Sequence, residues 1–195
     1  MLVLLKKMKK LFIIVLLFIE CGYAQQKNLL YVSGSLEIGN HLGLDIGVTF
    51  INKNKYSFSV GGLGMLYGSD NYPDDKDDTD SFPFYGIDDA GHLYFSVGKL
   101  IVINNSKTSR LNLSLGFAKT SGYRRYNYIR GEKSDHGYNY SYDFENYRNY
   151  SVIINPKFEF VRYDFSGLFI SPKIILNSKK SFYGIGLGLM LGKVR

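Results

Sequence analysis

The ionisable side chains that could form a site occur singly, each within a stretch where apolar and polar residues alternate. They comprise three acids and three bases: Glu37, Asp45, Arg110, Lys157, Glu159 and Lys173. Successive side chains of an extended chain point to opposite faces, so each of these lies opposite a row of Leu, Ile, Val or Phe. An enclosed charge is costly unless it is paired. The balanced set predicts an ionic network on the polar face, with Arg110 near Glu159 and Glu159 diagonal to Lys173. Members at the rims would instead be solvated.

A second group with binding chemistry lies in residues 123–149, where tyrosines and arginines are concentrated. Interfaces are enriched in these two residue types. Tyr138, Tyr140 and Tyr142 also alternate with polar residues, which predicts that the segment continues its flanking strands as a hairpin. The side chains expected to bind a surface partner are Tyr126, Tyr128, Arg130, Tyr138, Tyr140 and Tyr142.

Residues that could support catalysis or metal binding form no recognisable motif. Segment 69–91 carries eight aspartates, and clustered carboxylates can hold Ca²⁺. Their spacing matches no known calcium loop, so the segment is predicted to be a solvated acidic loop, with calcium binding as the alternative, and no metal ligand is assigned. His41, His92 and His136 are candidate bases, with the first two expected near one rim. None begins a His-x-Ser pattern, and no phosphate loop or zinc motif occurs. We therefore expect no catalytic residue and no cofactor.

The elements that position these residues are short strands with period-two alternation. They are predicted at residues 30–38, 41–50, 56–68, 92–103, 110–117, 151–160, 168–176 and 183–191. The pattern slips at Gly61-Gly62, and Lys99 would face outward unless the chain bulges near Gly98. The two long connections both fall on one side of an up-and-down arrangement. This asymmetry is typical of outer-membrane barrels.

The composition of the polar face indicates whether the barrel is surrounded by lipid or by water. A soluble lipocalin-like barrel also alternates, but its outer face should be rich in charged residues. Here the polar face consists mainly of Ser, Gly, Asn, Thr and Tyr. The sequence therefore predicts an all-β, eight-stranded antiparallel up-and-down transmembrane barrel, with Tyr123 and Tyr150 in the interfacial aromatic girdle.

Residues 1–24 are predicted to be a cleavable signal peptide, which leaves 25–195 as the barrel domain. Four lysines precede the apolar run 11–19, and Gly22-Tyr23-Ala24 places cleavage before Gln25. Translation would start at Met1 or Met8, and a lipoprotein would instead be modified at Cys21. The leader contains four lysines and one glutamate, so the net charge of +7 becomes +4 after cleavage. This charge does not indicate nucleic-acid binding.

Residues 28–192 resemble the small eight-stranded outer-membrane barrels of the outer membrane protein X and outer membrane protein A transmembrane-domain type. The resemblance implies residence in the bacterial outer membrane, contact with its lipid, folding by the outer-membrane assembly machinery and a lumen too narrow for free solute passage. Such barrels commonly end on an aromatic residue, whereas this chain ends with residues 192–195, Gly-Lys-Val-Arg.

The function expected for such a barrel is non-enzymatic. Its outside loops, acidic 69–91 and Tyr/Arg-rich 123–149, would mediate surface contact with an extracellular glycan or protein ligand, or support envelope integrity. The alternatives are a lipid A-modifying acyltransferase or deacylase, and a secreted soluble barrel.

Overall fold

A computed structural model describes residues 28–69, 87–104, 106, 108–134 and 137–195. The proposed signal peptide, most of the acidic segment and His136 lie outside these residues. Within them the chain forms nine strands: β1 (Leu29–Gly39), β2 (Leu42–Ile51), β3 (Tyr56–Gly68), β4 (Ile87–Val102), β5 (Ser109–Ser134), β6 (Gly137–Ile154), β7 (Lys157–Tyr163), β8 (Ser166–Leu176) and β9 (Phe182–Lys193). No helix in the described ranges is long and apolar enough to cross a membrane.

The strands close into a ring in which each pairs antiparallel with its neighbours, and β1 pairs with β9. β6 and β7 are two parts of one barrel strand, because both pair with β5 and β8 in a single continuous register. The interruption falls at Asn155 and Pro156, where proline supplies no amide donor. The predicted eight-stranded, antiparallel up-and-down barrel is thus confirmed.

The start of β4 differs from the one predicted. β4 begins at Ile87 rather than at His92, so the end of the acidic segment is part of the wall, where its polar composition obscured a continuing ladder of backbone hydrogen bonds. β5 and β6 continue to Ser134 and from Gly137, so most of segment 123–149 is strand, and the predicted hairpin continuation is confirmed.

The outer surface of the barrel wall is apolar. Leu44, Ile46, Leu93 and Phe117 are each about two-thirds exposed, and they belong to a continuous set of outward-facing Leu, Ile, Val and Phe. The shorter wall strands contain 10 to 13 residues, enough to cross a bilayer as tilted strands. Apolar exposure on this scale is unfavourable in water. The wall is therefore the lipid-facing surface of a transmembrane barrel.

The predicted irregularities in β3 and β4 do not occur. Both pairing registers run unbroken through Gly61-Gly62 and Gly98, so Lys99 faces outward without a bulge. Its Nζ donates to the Asn54 carbonyl oxygen at 3.0 Å and lies 3.8 Å from the centre of the Tyr56 ring. The ammonium thus reaches the polar boundary while its stem lies along the apolar wall.

The inward-facing side chains fill the lumen in three layers. We call the end carrying the β5–β6 hairpin the upper end. Along β8, Phe169 belongs to a lower apolar cluster, Lys173 lies in an ionic layer and Ile175 belongs to an upper apolar cluster. Leu63 and Met65 of β3 face inward into the upper cluster, because the regular strand keeps its phase. Eight strands enclose just enough space for such side chains to fill.

Candidate functional site

The upper ionic cluster joins one lysine to two carboxylates. Lys173 Nζ lies 2.6 Å from Glu37 Oε1 and also donates to Asp45 Oδ2. Tyr94 donates its hydroxyl to Asp45 at 2.8 Å, and Ser35 donates to Glu37 at 2.7 Å. All three charged side chains are at most 4% exposed. Charges this deeply buried depend on one another for stability.

Glycines in the wall make room for these polar side chains. A Cβ added at Gly186 would lie 2.5 Å from Glu37 Oε1, and one at Gly61 would lie 2.5 Å from the Tyr94 hydroxyl oxygen. Real Cβ atoms do not approach other atoms this closely, so both positions exclude larger residues. Glycine generally weakens a strand, but at these two positions it allows a side chain to approach the backbone closely.

The lower ionic cluster is a separate pair. Arg110 Nη2 lies 2.5 Å from Glu159 Oε2, as the pairing of β5 with β7 requires. Tyr31 donates its hydroxyl to Glu159 Oε1 at 2.6 Å, and Arg110 also donates to the Val194 carbonyl oxygen. Because Glu159 lies opposite Phe169, it is not diagonal to Lys173.

Lys157 is the one member of the predicted network for which the described residues supply no ion pair. Its Nζ lies 4.9 Å from the centre of the Phe169 ring, in cation–π contact. The six ionisable residues thus lie in the lumen as two ion-paired clusters and one lysine packed on an aromatic ring.

The histidines occupy different environments. His92 pairs with Thr120 near the upper end of the wall, but its side chain is buried in the lumen, where its Nδ1 lies 2.8 Å from Thr120 Oγ1. Thr120 and Ser151 share a hydrogen bond of 2.5 Å. The His41 ring packs against Tyr67 at 5.2 Å between centroids. Among the described residues, His92 contacts hydroxyls but has no carboxylate to orient it as the base of a triad.

The upper half of β5 and β6 forms a hairpin that extends beyond the rest of the wall. β4 accompanies β5 only as far as the pair Asp89–Tyr123, whereas β5 continues to Ser134. The extension measures roughly 35 Å along the strands. The hairpin is therefore a continuation of the barrel wall.

A bulge in β5 determines which side chains share the hairpin's outward face. Tyr126 pairs with Asp143 and Ile129 with Ser141, so three residues of β5 span the distance of two in β6. Asn127 adopts a φ of 53° at this point, a left-handed conformation that asparagine tolerates well. The extra residue places Arg130 on the same face as Arg125, opposite Tyr140.

The outward face of the hairpin carries a cluster of aromatic rings around one guanidinium group. The Arg125 guanidinium carbon lies 5.3 Å from the centre of the Tyr123 ring and 5.0 Å from that of Tyr142. Tyr142 also contacts Tyr128, and Tyr123 contacts Phe144, both at 5.7 Å between centroids. Burial raises the pKa of the Tyr128 hydroxyl. Burial and a hydrogen bond with Tyr142 raise the pKa of Tyr123. These phenols therefore stay neutral near pH 7.

Of the residues predicted to bind a surface partner, Tyr128, Arg130, Tyr140 and Tyr142 share this face or its bulge. Tyr126 faces the other side with Asp143, and Tyr138 pairs through its backbone with Lys133. The structure adds Tyr123, Arg125 and Phe144 to the predicted set. The alternation of β5 around Tyr123 and Arg125 could have identified two of them.

The two edges of the hairpin differ in how they are protected. On the β5 edge, Asp88 accepts a hydrogen bond from the Arg125 amide, and Ser69 donates to the Arg125 carbonyl oxygen, both at 3.2 Å. On the other edge, β8 accompanies β6 only over Val152–Ile154. Above Val152, the described residues provide β6 with no second strand partner.

The part of the chain that the structure describes contains no cluster of three or more His, Cys, Asp or Glu residues suited to a metal ion. Asp88 and Asp89 lie in β4. The remaining aspartates of segment 69–91 lie outside the described residues, so the solvated acidic loop stays a prediction, with calcium binding as its alternative.

No protein-family model matches the sequence, and no curated protein matches it. Among solved structures, the chain is similar to the N-terminal β-barrel domain of Pseudomonas aeruginosa OprF, with 9% identity and a TM-score of 0.48 over 86% of this chain and 98% of that one. It is also similar to the Yersinia pestis outer membrane protein Ail in a phospholipid bilayer nanodisc, with 12% identity and a TM-score of 0.49 over 85% and 99% of the two chains.

Proposed function

We propose that this protein is a non-enzymatic barrel of the bacterial outer membrane whose rigid β5–β6 hairpin contacts a partner at the cell surface. In this proposal residues 1–24 are removed on export, and the outer-membrane assembly machinery inserts residues 25–195. The filled lumen favours a supporting role for the barrel. The continuation of the wall strands into the hairpin is the observation that carries the proposal.

The hairpin has the chemistry of a binding surface. Tyrosine and arginine provide large contact areas together with hydrogen-bond donors. The outward face presents Tyr142 and Phe144, which are 41% and 59% exposed. Rings held at fixed positions lose little conformational entropy when a partner binds. The partner is an extracellular glycan or protein, since aromatic rings and arginines suit either surface.

The open edge of β6 offers a second mode of contact. Unpaired amide and carbonyl groups along a strand can accept another strand or the hydroxyls of a sugar chain. The β5 edge is less available because Asp88 and Ser69 already bond to the amide and the carbonyl oxygen of Arg125. A partner that adds to the sheet would therefore join β6.

A test of this proposal replaces residues 126–146 with a short glycine-containing turn. The closed ladder and lipid-facing wall lie below this span, so the shortened protein should keep its heat-modifiable migration on gels. Binding to surface polymers and envelope proteins, screened with the intact barrel, should be lost. A hairpin carrying Tyr142→Ser and Arg130→Ser should lose the same binding, whereas Ser141→Ala on the other face should retain it.

Two outcomes would contradict the proposal. A shortened protein that does not fold would make the hairpin part of the barrel's structure. A shortened protein that folds and binds as well as the intact one would place the binding surface elsewhere.

A further inference from the structure

We propose that Lys119 and Arg148, on the outer wall above the apolar belt, bind a phosphate of a phosphorylated lipid headgroup. Lys119 projects outward from β5 and Arg148 from β6, and both are exposed. Tyr150, which is 80% exposed, lies opposite Lys119. The inference rests on the membrane location in the proposed function, but not on the partner of the hairpin tip.

The pairing of β5 with β6 brings the two cations together. Lys119 pairs with Tyr150 and Ser121 pairs with Arg148, so Lys119 and Arg148 are diagonal neighbours on one face. Such positions are about 7–8 Å apart, and two long side chains can converge from them on a single anion. Neighbouring like charges repel each other, so an anion between them is stabilising.

The described residues do not provide that anion. Among the residues that the structure describes, neither Lys119 nor Arg148 has an ion pair or a hydrogen-bonded side-chain partner. Glu145 faces the other side of β6, where it pairs with Lys179 at 3.1 Å. Asp89 also faces outward, but it lies on β4 opposite Tyr123. It is therefore one outward-facing position above Ser121 and is separated from Arg148 by the whole width of β5. Among the described residues, the unbalanced charge on this part of the wall is therefore positive.

The position of the two cations favours a lipid headgroup over free phosphate. The next outward-facing pair below Lys119 and Tyr150 is Phe117 and Val152, and Phe117 is 67% exposed. The site thus lies at the upper edge of the apolar wall. A phosphate there can remain attached to acyl chains that lie along the wall, and an amphipathic tyrosine such as Tyr150 suits the same depth.

Inward contacts hold the two strands in place behind the site. Thr120 and Ser151 share a hydrogen bond inside the barrel. The Asn149 side chain accepts a hydrogen bond from Asn177 Nδ2 at 2.8 Å. The backbone that carries Lys119 and Arg148 is therefore fixed before a lipid binds, which lowers the entropic cost of binding.

The chain provides a matched control at the opposite boundary. Lys99 also faces outward, but its ammonium already donates to the Asn54 carbonyl oxygen and lies over the Tyr56 ring. A lysine whose charge is already engaged should contribute little to headgroup selection.

The test is native mass spectrometry of the full mature barrel, released from nanodiscs made with a bis-phosphorylated, acylated glucosamine disaccharide or with its dephosphorylated counterpart. The intact protein should retain the phosphorylated lipid preferentially. K119Q combined with R148Q should reduce that retention on the order of tenfold, whereas K99Q should not. Heat-modifiable migration verifies that each variant is folded.

Three results would overturn the inference: equal retention by the double variant and the intact protein, equal retention of both lipids, or saturation of the site by inorganic phosphate alone. The protein shortened at residues 126–146 separates this inference from the proposed function. It should keep the lipid preference even where it loses the surface partner.

Discussion

Lys173 of β8 and Glu37 of β1 form an ion pair of 2.6 Å although they are 136 positions apart in the chain. They meet only because β9 closes the ring between their strands. Asp45 of β2 shares the same ammonium. The contact joins β1 and β2 to β8 across β9, so its loss acts on the closed barrel as a whole.

Lys173→Met should destabilise the barrel by about 3–5 kcal/mol, because it leaves two buried carboxylates without their cation. The free energy of unfolding can be measured by urea titration in phospholipid vesicles, with gel migration reporting the folded fraction. Adding Glu37→Gln and Asp45→Asn to the same chain should restore most of the loss. A triple variant as unstable as Lys173→Met alone would mean that packing, not charge, dominates.

Gly61→Ala and Gly64→Ala form a matched pair on one strand. A Cβ at Gly61 would meet the Tyr94 ring and the Ile46 carbonyl oxygen within 2.7 Å, whereas one at Gly64 meets nothing within 4 Å. Gly61→Ala should therefore cost about 1–3 kcal/mol of unfolding free energy, and Gly64→Ala should be neutral or slightly stabilising. Similar unfolding midpoints for both variants would show that Tyr94 can move aside.

The sequence could predict the contacts that depend on adjacent strands. The pair Arg110–Glu159 follows from counting residues along two neighbouring strands, and Leu44 follows from alternation. The partners of Lys173 could not be found this way. Glu37 and Asp45 reach it only across the closure of the ring, whose register depends on every strand between them.

Alternation also has a limit inside the lumen. It separates two faces of a strand, but an apolar residue suits either lipid or an apolar layer of the interior. Leu63 and Met65 therefore looked like a slipped outward face, although they belong to the upper lumen cluster. The bulge at Asn127 determines that Arg130 lies on the outward face of the hairpin. No local sequence pattern indicates this bulge.

Leu44→Arg should impair membrane insertion by about 2–4 kcal/mol, because it places a charge on the lipid-facing wall. Ser33→Ala removes one lumen hydroxyl at a buried position and should have little effect. The yield of heat-modifiable protein after refolding into vesicles measures both. Ser114 would be a poorer control, since its hydroxyl donates to the Asn155 carbonyl oxygen at the interruption between β6 and β7. Equal yields for the two variants would contradict the assignment of the faces.

The exported protein should begin at Gln25. Mass spectrometry of the protein isolated from the outer membrane should give the mass of residues 25–195 without lipid. Substituting Ala24 with a large residue should block this processing, because the position before the cleavage site needs a small side chain. A mature form that keeps a lipid-modified Cys21 would show that the leader is of the lipoprotein type.

The layered lumen should keep the barrel from conducting ions. An ion entering from either end meets an apolar cluster before it reaches the ionic layer around Lys173, and removing its water there costs far more than thermal energy. The charges in the middle are already neutralised by one another and offer it little compensation. Insertion of the barrel should therefore leave the permeability of its membrane to small solutes unchanged.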